Sequence, residues 1–321
     1  KLTKKSKNEI ARSQIDLAVV SVLLDAGAGP SWRYKDSQTG LNFSRSEGLA
    51  IASLRLFESG VLSQSGLDDP LRVDAASLQA LTPEILAKEF QVSQSNQLLG
   101  LEDRAKLLNR LGDTLLKQKN IFEAENTFRP GNLFDYLTRN QVTGVLEARD
   151  ILVAVLQGMG EIWPDGSWID NVAIGDAGYH EVVKRSDITD GIVPFHKLSQ
   201  WMSYSLIEPL QEAGFKVNNL DALTGLAEYR NGGLFIDTKA ISLKDRTQLE
   251  IVHNPKSPLV VEWRALTVVL LDKLAEKIRR STNTDSRSMP LASILQGGTW
   301  SAGRRIAQQL RANGVPPLQL N

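Results

Sequence analysis

The chain has 321 residues, 42% of them hydrophobic, and its 37 basic residues are balanced by 37 acidic ones. That length and apolar content support a substantial core without staples, and a net charge of zero supplies no general field toward nucleic acid or an anionic membrane surface. The absence of cysteine excludes disulfides, thiolate nucleophiles and thiolate metal sites, and leaves a cytoplasmic location as the expectation.

Along the chain Leu, Ala, Glu, Lys and Arg recur at three- and four-residue spacing, which predicts a mainly α protein with at most a few short strands. The opening KLTKKSK lacks an initiator Met and reads as a processed or truncated end. The first predicted helix, Glu9 to Leu24, carries the run LAVVSVLL, far short of the roughly 20 apolar residues that span a bilayer. It ends in an Asp25 loop, after which DAGAGPSWRY sets Trp32 and Arg33 behind Pro30. An aromatic beside cations can stack a planar ligand, and surface packing accounts for it equally. Ser44, three residues ahead of Glu47, forms a capping-box signature for a helix Glu47 to Phe57, and Pro83 in TPEIL marks a first helical turn within Leu78 to Glu89. Helices follow at Leu101 to Lys117, Gly131 to Thr138 and Ala148 to Gln157, and the stretch WPDGSWIDNVAIGDAGYH reads as a long polar joint.

Beyond that joint, IVPFHKLSQWMSY places His196 and Lys197 at the start of a helix Lys197 to Glu212. Lys197 there opposes the helix dipole, an oddity that a nearby carboxylate or phosphate would remove. The next predicted helix, Leu220 to Arg230, ends in Glu228-Tyr229-Arg230 before the Asn-Gly-Gly turn of LTGLAEYRNGGLF, and short strands are expected at LFIDT and LEIVH. The triplet is either a simple C-cap, with Arg230 on the last carbonyls, or a charged cluster held at a bend. Ser257 and Pro258 open a helix Pro258 to Arg280, whose ALTVVLL run predicts burial on all sides. Within it Glu262 and Arg264 point to nearly opposite sides, so each must look to another element or into a cavity. A buried salt bridge and a ligand contact both fit these two charges. After the joint RRSTNTDSRSMP, the segment LQGGTWSAGRRIA predicts Thr299 as N-cap of a helix Ser301 to Ala312, with Trp300 and Arg304 on its first turns. Free backbone N–H groups at such a start bind anions, although paired glycines before it also make an ordinary turn. His180, His196 and His253 do not pair at metal-ligand spacing, so no metal is expected. No repeat or clear linker interrupts the chain, which predicts a single globular helical domain over residues 1–321.

Several of these segments resemble the protein family linked to the uracil-catabolism (Urc) pathway of pyrimidine degradation. The resemblance is carried by WRYKDSQTGLNFSRSEGLAIASLRLFESG, FRPGNLFDYL, LTGLAEYRNGGLFID, VEWRALTVVLLDKLA and LQGGTWSAGRRIA, and spans Asp25 to the C-terminal region. A more distant likeness, in the order of motifs, is to the queuosine 5′-phosphate N-glycosylase (queuosine salvage) family, whose helical fold is similar to DNA glycosylases. That family shows an Asp loop followed by Trp, a Phe-Tyr-Lys-Arg-Ala-Gln helix start, Ala-Asp-Tyr-Arg and a Glu-Ile-Arg helix. The matching positions are Asp25 and Trp32, FHKLSQ with Lys197 and Gln200, Glu228-Tyr229-Arg230, and Glu262-Trp263-Arg264. Thr299-Trp300-Ser301 stands where that family has a terminal Leu-Trp-Asp. Glu228 replaces the family Asp and Ser301 replaces the terminal Asp, so a different leaving group is expected and queuosine is not the expected substrate.

The resemblance implies an N-glycosyl hydrolase, working without metal or cofactor, that cleaves the ribose–urea bond of a ribosylurea, expected as its 5′-phosphate. Glu228 is expected at the anomeric carbon as nucleophile or stabiliser of an oxocarbenium-like centre, and Glu262 as a ligand or base for the ribose hydroxyls or water. Asp25 would touch the ribose or leaving group, with Trp32, Tyr229 and Trp300 as further substrate contacts. Arg230, Arg264 and Lys197 would bind the phosphate or orient the carboxylates. The implied partner is a small ribosyl molecule, not nucleic acid or membrane. Two other classes stay open: a non-enzymatic protein that binds a nucleotide-derived intermediate, and a nucleic-acid base glycosylase, against which the balanced charge argues.

Overall fold

A computed structural model describes residues 5–164 and 166–320 of the chain. The protein is mainly helical, and it divides into two compact units, Lys1–Pro164 with Met202–Asn218 and Asp165–Trp201 with Asn219–Asn321. Strands of two to four residues pair only in twos among the described residues. Among those residues no helix is long and apolar enough to cross a membrane.

The first unit holds α1 (Lys7–Leu24), α2 (Arg45–Glu58), α3 (Ala75–Gln79), α4 (Pro83–Glu89), α5 (Leu101–Lys117), α6 (Lys119–Phe122), α7 (Leu133–Thr138) and α8 (Ala148–Met159). Ser6 caps α1 by accepting the Glu9 amide, and the helix buries Ile15, Val19, Val20, Leu23 and Leu24. It also buries Asp16, whose carboxylate accepts the Gly131 amide at 2.6 Å and the Val73 amide at 3.0 Å and pairs with Arg129. Arg129 reaches on to Glu9 at 2.7 Å, so a buried acid and a buried base are both satisfied. Gly131 is dictated by this arrangement, since a Cβ there would lie 2.4 Å from the Arg12 carbonyl oxygen. The single helix predicted over Leu78 to Glu89 is in fact two. Pro83 pushes Thr82 into extended backbone, and the Thr82 side chain then accepts the Ile85 amide and caps α4.

In the second unit the expected polar joint is β structure. Ser167–Ile169 pairs antiparallel with Val172–Gly175, and Ala177–Tyr179 with Ile192–Pro194. Asp170 and Asn171 turn the first hairpin at φ of 45° and 65°, the two left-handed residues that a tight I′-like turn requires. Next come the first turns of α9 (Lys197–Glu212), which belong to this unit up to Trp201, and then α10 (Tyr229–Asp237), α11 (Pro258–Thr282), α12 (Leu291–Ile294) and α13 (Trp300–Leu310).

Two expectations are overturned around α10. The helix predicted from Leu220 to Arg230 is a short 3₁₀ turn, Leu220–Ala222, followed by non-helical chain, and Glu228-Tyr229-Arg230 starts a helix instead of ending one. LFIDT, expected as a strand, is the last part of α10. The carboxylate at Glu228 caps the start, and Gly232 and Gly233 lie inside the helix, where Trp263, Thr267 and Pro317 fill the space a Cβ would take. LEIVH contributes only Val252–His253, paired in parallel with Gln319–Leu320. Thr299 is helical rather than an N-cap: Leu295–Thr299 forms a π-helical turn running straight into α13, so no open helix start exists there to bind an anion.

α11 begins as predicted, with Ser257 at the cap position and Pro258 first in the helix. Its burial is one-sided, however. Val260, Val261, Trp263, Thr267, Leu271 and Ala275 are buried, whereas Leu266 and Val269 are 39% and 49% exposed. Leu271 and Ala275 pack with Leu226, Phe235, Leu291, Ile294 and Leu295, while Val261 meets Phe195 and Ala227, and Val260 and Trp263 meet Leu318.

Candidate functional site

The first turn of any helix leaves backbone N–H groups without partners, and Glu228 supplies acceptors for two of them. It sits in extended backbone at the cap of α10, its carboxylate oxygens accepting the Asn231 amide at 2.7 Å and the Arg230 amide at 3.0 Å. Burial pushes the Glu228 carboxyl above its ordinary value, and these two amides with the charges of Lys197 and Arg230 pull it back only in part. Asn231 is itself fixed from both ends, donating to the Leu226 carbonyl at 3.2 Å and accepting the Thr299 hydroxyl at 2.9 Å. The carboxylate therefore stands on a rigid base.

A second acid lies in the same unit. Asp176, just before the Ala177–Tyr179 strand, is held by Arg264 of α11 through two parallel bonds, Nη1 to Oδ1 at 2.9 Å and Nη2 to Oδ2 at 2.7 Å. Its Oδ2 also accepts the Lys197 amide at 3.0 Å. Burial works to raise the Asp176 carboxyl, but the hydrogen bonds and charge of Arg264, the Lys197 amide and the Lys197 charge win, so the group lies below its ordinary value. Burial pushes the neighbouring His196 imidazole down, against the pull of Asp176. Sequence reasoning passed over Asp176 because it falls in the stretch read as a joint. The signal that pointed to it was Lys197, a cation at the wrong end of a helix, which called for a carboxylate nearby.

Glu228, Lys197, Arg230 and Arg264 thus belong to one unit, with Lys197 and Arg230 acting on Glu228 through their charge. Arg230 is engaged elsewhere as well: Nη1 donates to the Gly314 carbonyl, and its guanidinium lies 4.9 Å from the ring of Tyr229, which is 43% exposed. Trp300 is half-buried beneath the Arg304 guanidinium, 4.0 Å from its ring. Glu262 lies exposed on α11, among neighbours Leu266 and Val269 that are exposed as well, and contrary to expectation is not buried. Asp25 and Trp32 belong to the first unit. Asp25 ends α1, its amide donating to the Ser21 and Val22 carbonyls. Trp32 is fully buried: its Nε1 donates to the Phe90 carbonyl at 3.0 Å and its ring stacks on Phe90 at 6.1 Å, so it is a core side chain and not a platform for a ligand. Among the described residues no group of three or more His, Asp or Glu side chains is placed to hold a metal ion.

Two relatives cover most of the chain. "Uracil catabolism protein 4" of Lachancea kluyveri is 39% identical over 341 residues, spanning 98% of this chain and 76% of the relative. "Protein urg3" of Schizosaccharomyces pombe is 41% identical over 305 residues, spanning 94% of this chain and 72% of the relative. The family model described as "Protein of unknown function (DUF1688)" matches residues 1–321, and the chain belongs to that family.

Proposed function

We propose that this protein acts in uracil catabolism as an N-glycosyl hydrolase that releases urea from a ribosylurea 5′-phosphate. A relative bearing the name of that pathway supports the setting, and the motif-by-motif likeness of Glu228-Tyr229-Arg230 and FHKLSQ to the queuosine salvage family supports the bond type. The observation that carries the chemistry is Glu228 itself: a half-buried carboxylate, locked by two amides, with a lysine charge acting on it.

In the reaction the bond from the anomeric carbon to the urea nitrogen breaks, water oxygen bonds to that carbon, and a water proton passes to the departing nitrogen. Positive charge gathers on the sugar as the bond lengthens. A preorganised carboxylate in a poorly solvated setting stabilises that charge without having to reorient, which is the role assigned to Glu228. Lys197 supplies a point charge suited to the phosphate. Glu262 has no part in this scheme, because it stands in solvent.

Purified protein mixed with ribosylurea 5′-phosphate is expected to release urea, with Glu228→Gln slower by on the order of 10²-fold or more. No release above background, or equal release by the variant, overturns the proposal. Because both Glu228 oxygens already serve as caps, a carrier without turnover is the second reading. Tight binding of the same compound with no urea formed would favour it.

A further inference from the structure

We propose that Asp176 and Arg264 form a positioning pair that holds Lys197 and Glu228 at a set spacing, so that the two work as one site; this rests on the hydrolase reading above. Asp176 grips the chain entering α9 at three points. Its carbonyl oxygen accepts the Phe195 amide at 3.0 Å and the His196 amide at 2.9 Å, and its carboxylate accepts the Lys197 amide at 3.0 Å. Between them His196 adopts a φ of 48°, a left-handed conformation that costs a non-glycine residue about 1 kcal/mol and persists only where its surroundings over-determine it. The three captured amides are those surroundings.

Arg264 joins this turn to the other half of the site. Two of its nitrogens hold the Asp176 carboxylate, and the third, Nε, donates to the carbonyl of Ala227 at 3.3 Å, the residue directly before Glu228. The face of the same guanidinium lies 4.0 Å from the Phe195 ring. One planar group therefore touches the segment that carries Lys197 and the segment that carries Glu228. A lysine could keep the charge but not the fork. Arg264 is in this way assigned to bracing, not to the substrate's phosphate.

The pair is tested in two arms. In the first, hydrogen exchange is followed at the amides of Phe195 to Lys197 and of Arg230 and Asn231, the latter two reporting the Glu228 carboxylate. Arg264→Lys is expected to speed exchange about tenfold or more in both segments. A change confined to one segment overturns the proposal. Should Arg264→Lys melt globally, Asp176→Asn, which keeps the side-chain shape, carries the same test with the same two expectations. In the second arm, urea release by Asp176→Asn is expected to fall on the order of 10²-fold in the wild-type background. In a Lys197→Met background the same change should cost clearly less, about tenfold or below, since the part of the loss that runs through Lys197 is already gone and only the Glu228 part remains. An equal loss in both backgrounds marks a merely structural residue and overturns the idea. If the wild type releases no urea, the hydrolase reading fails, and the exchange arm alone decides whether the pair couples the two segments.

Discussion

The proton on Glu228 is the most informative single group in the protein. Burial lifts its carboxyl above the ordinary value of 4.5, so the folded chain holds that proton more tightly than the unfolded chain does. The resulting stabilisation is fully present below about 4.5 and is lost as pH rises through the folded-state value. Glu228→Gln cannot titrate. It gives up one amide acceptor, worth about 1 kcal/mol at a cap, but escapes the pH-dependent loss. The stability gap between wild type and variant is therefore expected to narrow between about pH 4 and about pH 7 in denaturant unfolding. A gap that widens over that range would show the carboxylate to be better solvated than its surroundings indicate. Asp176 behaves in the opposite sense: its lowered carboxyl contributes stability above the ordinary value of 3.8, which disappears as pH falls below it. Of these two acids only Glu228 was legible from its neighbours in the chain, because a charged triplet beside paired glycines stands out, whereas Asp176 is marked only by what it does for Arg264 and Lys197.

At the level of elements, two glycine pairs that look alike do different work. In α10 a Cβ on Gly232 would lie 2.7 Å from the Trp263 ring and 2.8 Å from the Thr267 hydroxyl. Gly232→Ala is expected to destabilise by about 1–3 kcal/mol, because overpacking against α11 outweighs the roughly 1 kcal/mol that alanine gains in a helix. Gly297, in the π-helical turn before α13, has nothing within 4 Å of that position. Gly297→Ala should be stabilising by about 0.5–1 kcal/mol. Chemical denaturation of the two variants checks both signs, and matching effects would show that packing does not separate them. Read from the sequence, both pairs looked like turns. What distinguishes them is a helix 31 residues further on, with Trp263 facing Gly232, which local spacing does not reveal. The hairpin at Asp170 and Asn171 is the converse case, where a local signal existed but the surrounding polar residues masked it.

On the scale of the whole chain, the balance of 37 basic and 37 acidic residues predicts no salt-dependent binding to single- or double-stranded DNA. A titration at low and physiological salt tests this, and affinity that falls steeply with salt would revive the base-glycosylase alternative. Buried charge matters more to folding. Arg129 is almost wholly enclosed against Asp16 and Glu9, and Arg129→Met is expected to cost about 3–5 kcal/mol because it leaves a carboxylate in the core without its partner. Loss of less than about 1 kcal/mol on denaturant unfolding would show that Asp16 simply takes up a proton instead.

By itself the sequence determined the helical class, the placing of α1, α5, α8, α9 and α11 within a few residues, and the first-turn positions of Pro83 and Pro258, because helix periodicity and helix starts are decided by residues three or four apart. Only the tertiary structure decided which charges meet, which face of α11 is wet, and whether Glu228 closes one helix or opens another. Arg264 and Asp176 are 88 residues apart and Arg129 and Asp16 are 113 apart, and at such separations a pairing is set by how packed elements bring desolvated charges together.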